Sequence, residues 1–191
     1  MTTEERGPMQ ALTDQVLSEI RSVLSSIDDD HVRRFVDTIL HANRIIVHGA
    51  GRMGIMSAAF AMRLAQLGFQ SHMLSEPTTP SVRPGDLLIL SSASGETQTV
   101  YDVAVLGKQH GAQLALITAR SDSRIGRLAD IIVQFSVPTK LGAETGASSI
   151  QPMTTVAEQS LLLLFDTIVL LLMEATRQTS EALWQRHRNL E

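Results

Sequence analysis

"RIIVHGAGRMG", residues 44–54, joins a short apolar run to a turn spaced by glycines. An apolar run of this length, followed by a glycine-rich turn and a helical pattern, is typical of a buried strand that leads into a helix. Glycines let the backbone turn sharply and approach a ligand closely. The stretch therefore predicts a strand, a tight turn and a helix, with a ligand site at the turn.

Short apolar runs and helical patterns alternate along the rest of the chain. Two amphipathic helices precede the first strand, and a glycine-rich loop leads into a long helix from about 154 to 175. Strands are predicted at 44–48, 70–74, 87–91, 113–118 and 131–137, and crossover helices at 53–67, 97–110 and 123–129. This alternation predicts a parallel sheet covered by helices on both faces.

The 191 residues suit one domain with a well-buried core. We expect N-terminal helices over 1–42, an α/β core over 43–175 and a tail helix over 176–191. The most apolar stretch, 161–173, includes Asp166 and is shorter than the ~20 residues that a membrane span requires. It predicts a buried helix and no membrane contact.

Composition limits the class of partner. The formal charge of −4 gives no basic face for nucleic acid, so we expect small molecules or further copies of the chain as partners. The absence of cysteine excludes disulfides and thiolate zinc sites, and the histidines lack metal-ligand spacing. We therefore predict no metal. The acidic N-terminus has no apolar core, so we expect a cytoplasmic protein.

Two loops at carboxyl ends of predicted strands are candidates for a ligand site. In the second, Ser91, Ser92, Ser94 and Thr97 surround Gly95, immediately before a helix. The first turn of a helix offers free N–H groups and the positive end of the dipole, which together can hold a phosphate. The alternative is that Ser94 and Thr97 only cap the helix.

The first loop fits the G-x-G-x-x-G pattern of dinucleotide sites, and Glu76 lies near the distance at which such a site expects an acid. Two features disfavour NAD. The chain is too short for a separate substrate domain, and Arg52 places a cation inside the loop. A guanidinium can pair with a phosphate or polarise a sugar oxygen. The alternative for Arg52 is an ordinary solvated charge.

Three motifs, in this order, resemble a family of sugar-phosphate isomerases: G-A-G-R-M-G after the first strand, S-A-S-G-E-T after the third, and SSIQPMTTVAEQSLLLLFD at the last long helix. With the C-terminal RHRNLE, they are similar to the sugar isomerase (SIS) domain, and within it to the 6-phospho-3-hexuloisomerase family. The resemblance implies a three-layer α/β/α sandwich, flavodoxin-like or Rossmann-like, around a five-stranded parallel sheet.

The resemblance also implies an activity, the interconversion of D-arabino-3-hexulose 6-phosphate and D-fructose 6-phosphate through a cis-enediol(ate). This reaction belongs to formaldehyde assimilation by the ribulose monophosphate pathway. The resemblance further implies that no cofactor or metal takes part and that the enzyme is a homo-oligomer, usually a tetramer. Two alternatives stay open: an SIS-domain isomerase for another phosphosugar, and a non-catalytic phosphosugar-binding regulator.

Three residues are candidates for catalysis. Glu158 begins an otherwise apolar helix, where partial burial would make its carboxylate a stronger base. It could instead serve only the helix dipole. Arg52 would stabilise the enediolate oxygen. The resemblance assigns proton transfer to His187, in its own subunit or a neighbour's, although a lone histidine near a terminus is more often solvent-exposed.

The candidate substrate-binding residues lie in three loops. The first loop would approach the substrate with its backbone, the second would hold the phosphate, and serines ahead of the last long helix would close the site. Met53 and Ala93 replace the serine and glycine that the resemblance leads us to expect. His48 is either a substrate contact or structural. The binding residues are Gly49, Gly51, Ser92, Ser94, Gly95, Thr97, Ser148 and Ser149.

Overall fold

The computed structural model describes residues 7–137, 149–187 and 189. It contains the two predicted N-terminal helices, two of the three predicted crossover helices and the long last helix. In chain order the elements are α1 (Pro8–Leu24), α2 (Asp29–His41), β1 (Ile45–Gly49), α3 (Gly51–Gln66), β2 (Ser71–Met73), β3 (Leu87–Ser91), α4 (Gln98–Gln109), β4 (Gln113–Thr118), a 3₁₀ turn (Gly126–Leu128), β5 (Ile131–Gln134), α5 (Thr155–Thr176) and α6 (Ser180–Gln185).

The five strands form one sheet in the order β2-β1-β3-β4-β5, and every neighbouring pair is parallel. The predicted five-stranded parallel sheet is confirmed. β3 is buried along its whole length, as expected for a central strand covered on both faces. The strand order reverses between β1 and β3, and in open parallel sheets a ligand binds at the carboxyl side of such a reversal.

Helices cover both faces of the sheet, which confirms the three-layer arrangement. α1, α2, α3 and α5 contribute to the apolar core on one face, and α4 packs on the other. α3 and α5 lie side by side, and the rings of Phe60 and Phe165 stack with centroids 4.0 Å apart and planes 2° from parallel. This stack fixes the position of α5 along α3.

α5 is the most apolar element. Its length and composition would allow it to cross a membrane, but 56% of its most apolar window is buried inside the fold. It packs against α1, α2 and α3. The predicted buried helix at this position is therefore confirmed, and burial against three helices accounts for its apolar composition.

Several predicted elements are shorter than expected. The second strand, predicted at 70–74, spans only Ser71–Met73, and the tail helix, predicted over 176–191, spans only Ser180–Gln185. The helix predicted at 123–129 is only the 3₁₀ turn, because the backbone becomes extended again at Ala129 to enter β5. The strand predicted at 131–137 ends at Gln134, which pairs with the last residue of β4, Thr118. Because β4 ends at Thr118, it has no further residue with which the chain after Gln134 could pair. Phe135 and Val137 nevertheless remain buried.

Two glycines shape the turn between β1 and α3 for different reasons. A β-carbon on Gly54 would overlap the carbonyl oxygen of Gly49, so the helix and the strand are in backbone contact. Gly51 has a φ of +57°, and a β-carbon there would meet nothing. Gly54 is therefore required for its lack of volume, and Gly51 for its left-handed backbone.

We expect Gly54→Ala to lower the free energy of unfolding by about 1–3 kcal/mol, because the added methyl group pushes α3 away from β1. Gly51→Asn is the matched control, since asparagine tolerates the left-handed region and the space there is open. Denaturant titration of both variants measures the difference. Equal losses in the two variants would contradict the steric role of Gly54.

Candidate active site

A cavity of about 680 Å³ lies at the carboxyl ends of β1 and β3, where the strand order reverses. Its walls come from the loop that begins α3, the loop after β3 and the segment that begins α5. The lining residues are Ala50, Gly51, Arg52, Met53, Ser91, Ser92, Ala93, Ser94, Thr97, Pro152, Met153, Thr154, Thr155 and Glu158. The size suits a small metabolite.

The packing of α3 on α5 brings Arg52 and Glu158 together. Arg52 precedes Phe60 by eight residues and Glu158 precedes Phe165 by seven, which is about two helical turns in each helix. Both side chains therefore lie at the same level above the aromatic stack. Arg52 Nε is 2.5 Å from Glu158 Oε2.

The two partners differ in burial. The Glu158 side chain is 9% exposed, whereas that of Arg52 is 56% exposed. Glu158 Oε1 accepts a hydrogen bond from Thr154 Oγ1 at 2.8 Å. Oε2 accepts no well-aligned hydrogen bond from the described residues, so its contact with Arg52 is an ion pair. One carboxylate oxygen is thus held by the protein, while the other faces the cavity-lining guanidinium.

The hydroxyl groups after β3 line the cavity at the start of α4. Thr97 occupies the N-cap position of α4 but makes no capping hydrogen bond. Its Oγ1 instead lies 3.0 Å from Ser92 Oγ, which also accepts the backbone N–H of Gly95 at 3.1 Å. Because these hydroxyls do not occupy the first-turn N–H groups of α4, those groups can receive an anion. The capping alternative for Thr97 is wrong.

Arg124 also contacts this loop and supports its conformation. Its guanidinium donates to the backbone oxygen of Glu96 at 2.6 Å and lies 4.5 Å from the centroid of the Tyr101 ring. The Glu96 carboxylate accepts the backbone N–H of Arg124 at 3.0 Å. Glu96 therefore holds the loop in shape rather than serving only the dipole of α4.

The remaining candidate binding residues have other positions. Gly49 and Gly95 do not line the cavity: Gly49 contacts Gly54, and Gly95 packs against Ser123 with a φ of +64°. Ser148 lies outside the described residues. Ser149 donates to Glu19 of α1 at 2.7 Å and does not line the cavity, so its predicted role in closing the site directly does not agree with its position.

His187 lies at the opposite end of α3 from the cavity. It lines a smaller pocket of about 280 Å³ with Arg63 and Gln66, and its ring is 5.1 Å from that of Trp184. Gln66 follows Arg52 by fourteen residues, so the two pockets of one chain are about 20 Å apart along α3. Within a single chain, His187 and Glu158 do not share a site.

Sequence reasoning missed the wall formed by Pro152, Met153 and Thr154. Met153 has a φ of +56°, which is unusual for a residue with a side chain. Its side chain is 77% exposed at the mouth of the cavity. The spacing of Thr154 four residues before Glu158 was the available signal, because these positions face each other across one helical turn.

His48 follows Val47 in β1 and lies outside the cavity lining. By the alternation of a strand it shares the α4 side of the sheet with Ile46. Its two ring nitrogens are buried without a hydrogen-bond partner in the described structure. Burial lowers the pKa of His48 from its ordinary 6.5. The structural alternative for His48 fits this position better than a substrate contact.

Comparison with known proteins agrees with this architecture. The sequence-family model that describes the SIS domain matches residues 38–165, which is more than half of the chain. The chain belongs to the SIS domain family. The matched region contains the cavity's loops and Glu158, so the site lies within the part of the chain that the family model covers.

The SIS-family chain is similar over almost its full length to proteins named 3-hexulose-6-phosphate isomerase. It is 36% identical to the one from Bacillus subtilis, covering 93% of this chain and 96% of the relative. Identity to the one from Mycobacterium gastri is 33%, covering 92% and 88%. A Methanococcus jannaschii crystal structure, from which a 3-hexulose-6-phosphate isomerase function was inferred, superposes with a TM-score of 0.83 at 30% identity, covering 95% and 99%.

The buried imidazole of His48 predicts a pH effect on stability. Its pKa is lowered in the fold by burial, so below about pH 6.5 the unfolded chain takes up the proton more readily. We expect the free energy of unfolding to fall as the pH drops below that value, and less steeply in His48→Asn. Denaturant titrations between pH 5 and pH 8 compare the slopes. Identical slopes in the two proteins would contradict the prediction.

Proposed function

We propose that this phosphosugar isomerase of the SIS family interconverts D-arabino-3-hexulose 6-phosphate and D-fructose 6-phosphate. The observation that carries the proposal is the Arg52–Glu158 ion pair, placed in one cavity with the start of α4. A buried carboxylate, an exposed guanidinium and an anion-binding helix end are the groups that an enediolate mechanism on a phosphorylated ketose requires. The named relatives support this choice of substrate.

Glu158 acts as the general base. In the direction of fructose 6-phosphate, its carboxylate takes the proton from C2 of the 3-ketose, and the electrons of that C–H bond form the C2–C3 double bond of the enediolate. A proton then passes from O2 to O3, and the same carboxyl group returns its proton to C3, so that the carbonyl forms at C2 and C3 carries the hydroxyl group. Thr154 holds one carboxylate oxygen at 2.8 Å, which leaves the other to reach both carbons.

Arg52 stabilises the oxygen on which negative charge develops. Its guanidinium pairs with Glu158 in the structure. When a substrate carbonyl enters beside this pair, its oxygen accepts a hydrogen bond from the guanidinium. The carboxylate oxygen of Glu158 then faces the adjacent carbon. The exposed side chain of Arg52 permits this exchange of partners, and the charge is already in place before the transition state forms.

The loop after β3 holds the phosphate. Ser94 accepts the backbone N–H of Glu96 at 3.2 Å, which leaves its own hydroxyl proton to donate into the cavity. With the hydroxyls of Ser92 and Thr97 and the first turn of α4, the loop forms a neutral cradle for a dianion. The sugar chain then extends from this cradle toward Arg52 and Glu158.

His187 completes the site of a neighbouring subunit in this proposal. The chain carries large apolar side chains on the solvent side of its helices, among them Ile55 and Met62 on α3 and Leu170 on α5, each more than half exposed. Burial of such a surface is a reason for the chain to associate with copies of itself. In an oligomer, the imidazole of one chain would move a proton between the substrate oxygens in the next.

Glu158→Gln should reduce isomerisation by about 10²-fold to 10⁴-fold, because the amide cannot take the carbon-bound proton. Wild-type protein incubated with fructose 6-phosphate in deuterated water should place deuterium at C3 and form the 3-hexulose, and the variant should do neither at a comparable rate. Nuclear magnetic resonance and mass spectrometry follow both products. Glu174→Gln, an exposed change on the same helix, is the matched control and should retain full exchange.

The same assay separates the proposed substrate from others. Exchange into another phosphosugar, with none into fructose 6-phosphate, would keep the reaction class and overturn the substrate. Binding of phosphosugars with no exchange into any of them would favour a regulator.

A mixing experiment tests the role of His187. Glu158→Gln and His187→Asn should each be nearly inactive alone. Equal mixing with exchange of subunits should restore about a quarter of the wild-type sites if each site combines Glu158 of one chain with His187 of another. Activity is measured before and after the mixture is refolded together. No recovery, with light scattering showing mixed oligomers, would contradict a shared site.

A further inference from the structure

Glu19 of α1 contacts the segment that leads into α5, although the two are about 130 positions apart in sequence. Its Oε2 accepts hydrogen bonds from Ser149 Oγ at 2.7 Å and from Gln151 Nε2 at 2.9 Å. Its Oε1 accepts the backbone N–H of Ile150 at 2.8 Å. Both carboxylate oxygens are therefore engaged by one short stretch of chain.

That stretch continues directly into the wall of the active site. Gln151 precedes Pro152 and Met153, which line the cavity, and the latter has a left-handed backbone. The next residues begin α5 and include Thr154, which donates to Glu158. A residue with a side chain costs free energy in the left-handed region, so the surrounding contacts must impose this conformation. The residues that contact Glu19 lie two to four positions before Met153.

The charge of Glu19 strengthens these contacts. Partial burial raises the pKa of Glu19, but the hydrogen bonds from Ser149, Gln151 and the Ile150 amide outweigh this effect and hold the pKa below its ordinary value. The carboxylate is therefore ionised at neutral pH, and hydrogen bonds to an ionised acceptor are stronger than those between neutral groups.

We propose that Glu19 is a positioning residue of the active site, which holds residues 149–153 so that the Met153 wall and the Thr154–Glu158 contact keep their geometry. This inference rests on the proposed function, in which Glu158 is the base. Glu19 does not line the cavity. It acts through the chain that connects it to α5, and a displacement of about 1 Å at the base is enough to slow proton transfer by about 10²-fold.

Glu19→Ala removes both acceptor oxygens and with them all three hydrogen bonds. We expect kcat to fall by about 10-fold to 100-fold and by a larger factor than KM rises, because the base rather than the phosphate cradle is displaced. Glu19→Gln retains one acceptor oxygen and should recover part of the loss. Asp14→Ala, a carboxylate removed from the same helix, is the matched control and should leave kcat unchanged. The melting temperature of each variant should stay within about 4 °C of wild type.

Hydrogen exchange gives a readout that does not depend on activity. In Glu19→Ala the amides of Ile150, Thr155 and Glu158 should exchange at least about 10-fold faster, while those of β1 and β3 keep their protection. Unchanged exchange at Thr155 and Glu158 would overturn the inference. Faster exchange with an unchanged kcat would also overturn it, and so would a loss of kcat that is matched by loss of protection throughout the sheet.

Failure of the proposed function is distinguishable from failure of this inference. If wild-type protein isomerises no phosphosugar, the function is wrong, and the exchange of Thr155 and Glu158 in Glu19→Ala still decides whether Glu19 positions this segment. If the wild type is active and Glu19→Ala is equally active, the function stands and the inference fails.

Discussion

The direct backbone contact between β1 and α3 is the constraint on which the site depends. Because neither Gly49 nor Gly54 has a side chain at this contact, the helix begins immediately above the carboxyl end of the strand. The first turn of α3 therefore forms a wall of the cavity, and Arg52 projects from that turn. A larger residue at Gly54 would move the helix, the guanidinium and everything that packs against them.

The geometry of the site also depends on the alignment of two helices that are distant in sequence. The Phe60–Phe165 stack fixes α5 against α3, and the ion pair between Arg52 and Glu158 follows from equal spacing on both helices. Both helices pack on the same face of the sheet, and this shared packing brings them together. Side chains on rigid helices keep their separation more precisely than side chains on long loops.

The site lies on the apolar core and contains few charged side chains. The cradle after β3 uses neutral hydroxyls and a helix end, and the only ion pair among the described lining residues joins Arg52 to Glu158. Glu19 adds a contact outside the cavity, because it connects α1 to the segment that leads into α5. The N-terminal helices are thus linked to the site and do not only cover the core.

Local patterns of residues were enough to predict the sheet and the two loops that line the cavity, because strand burial, helical periodicity and glycine-rich turns each show within a short stretch of chain. Residues 44–54 indicated a strand, a turn and a helix, and each is present at that place. Only the packed fold shows which residues meet: Arg52 with Glu158, Ser149 with Glu19, and His187 at the far end of α3 rather than in the cavity of its own chain. These outcomes depend on packing between segments far apart in sequence. Such packing is set by side-chain shape and by the register of helices on the sheet, and neither is encoded in a local pattern.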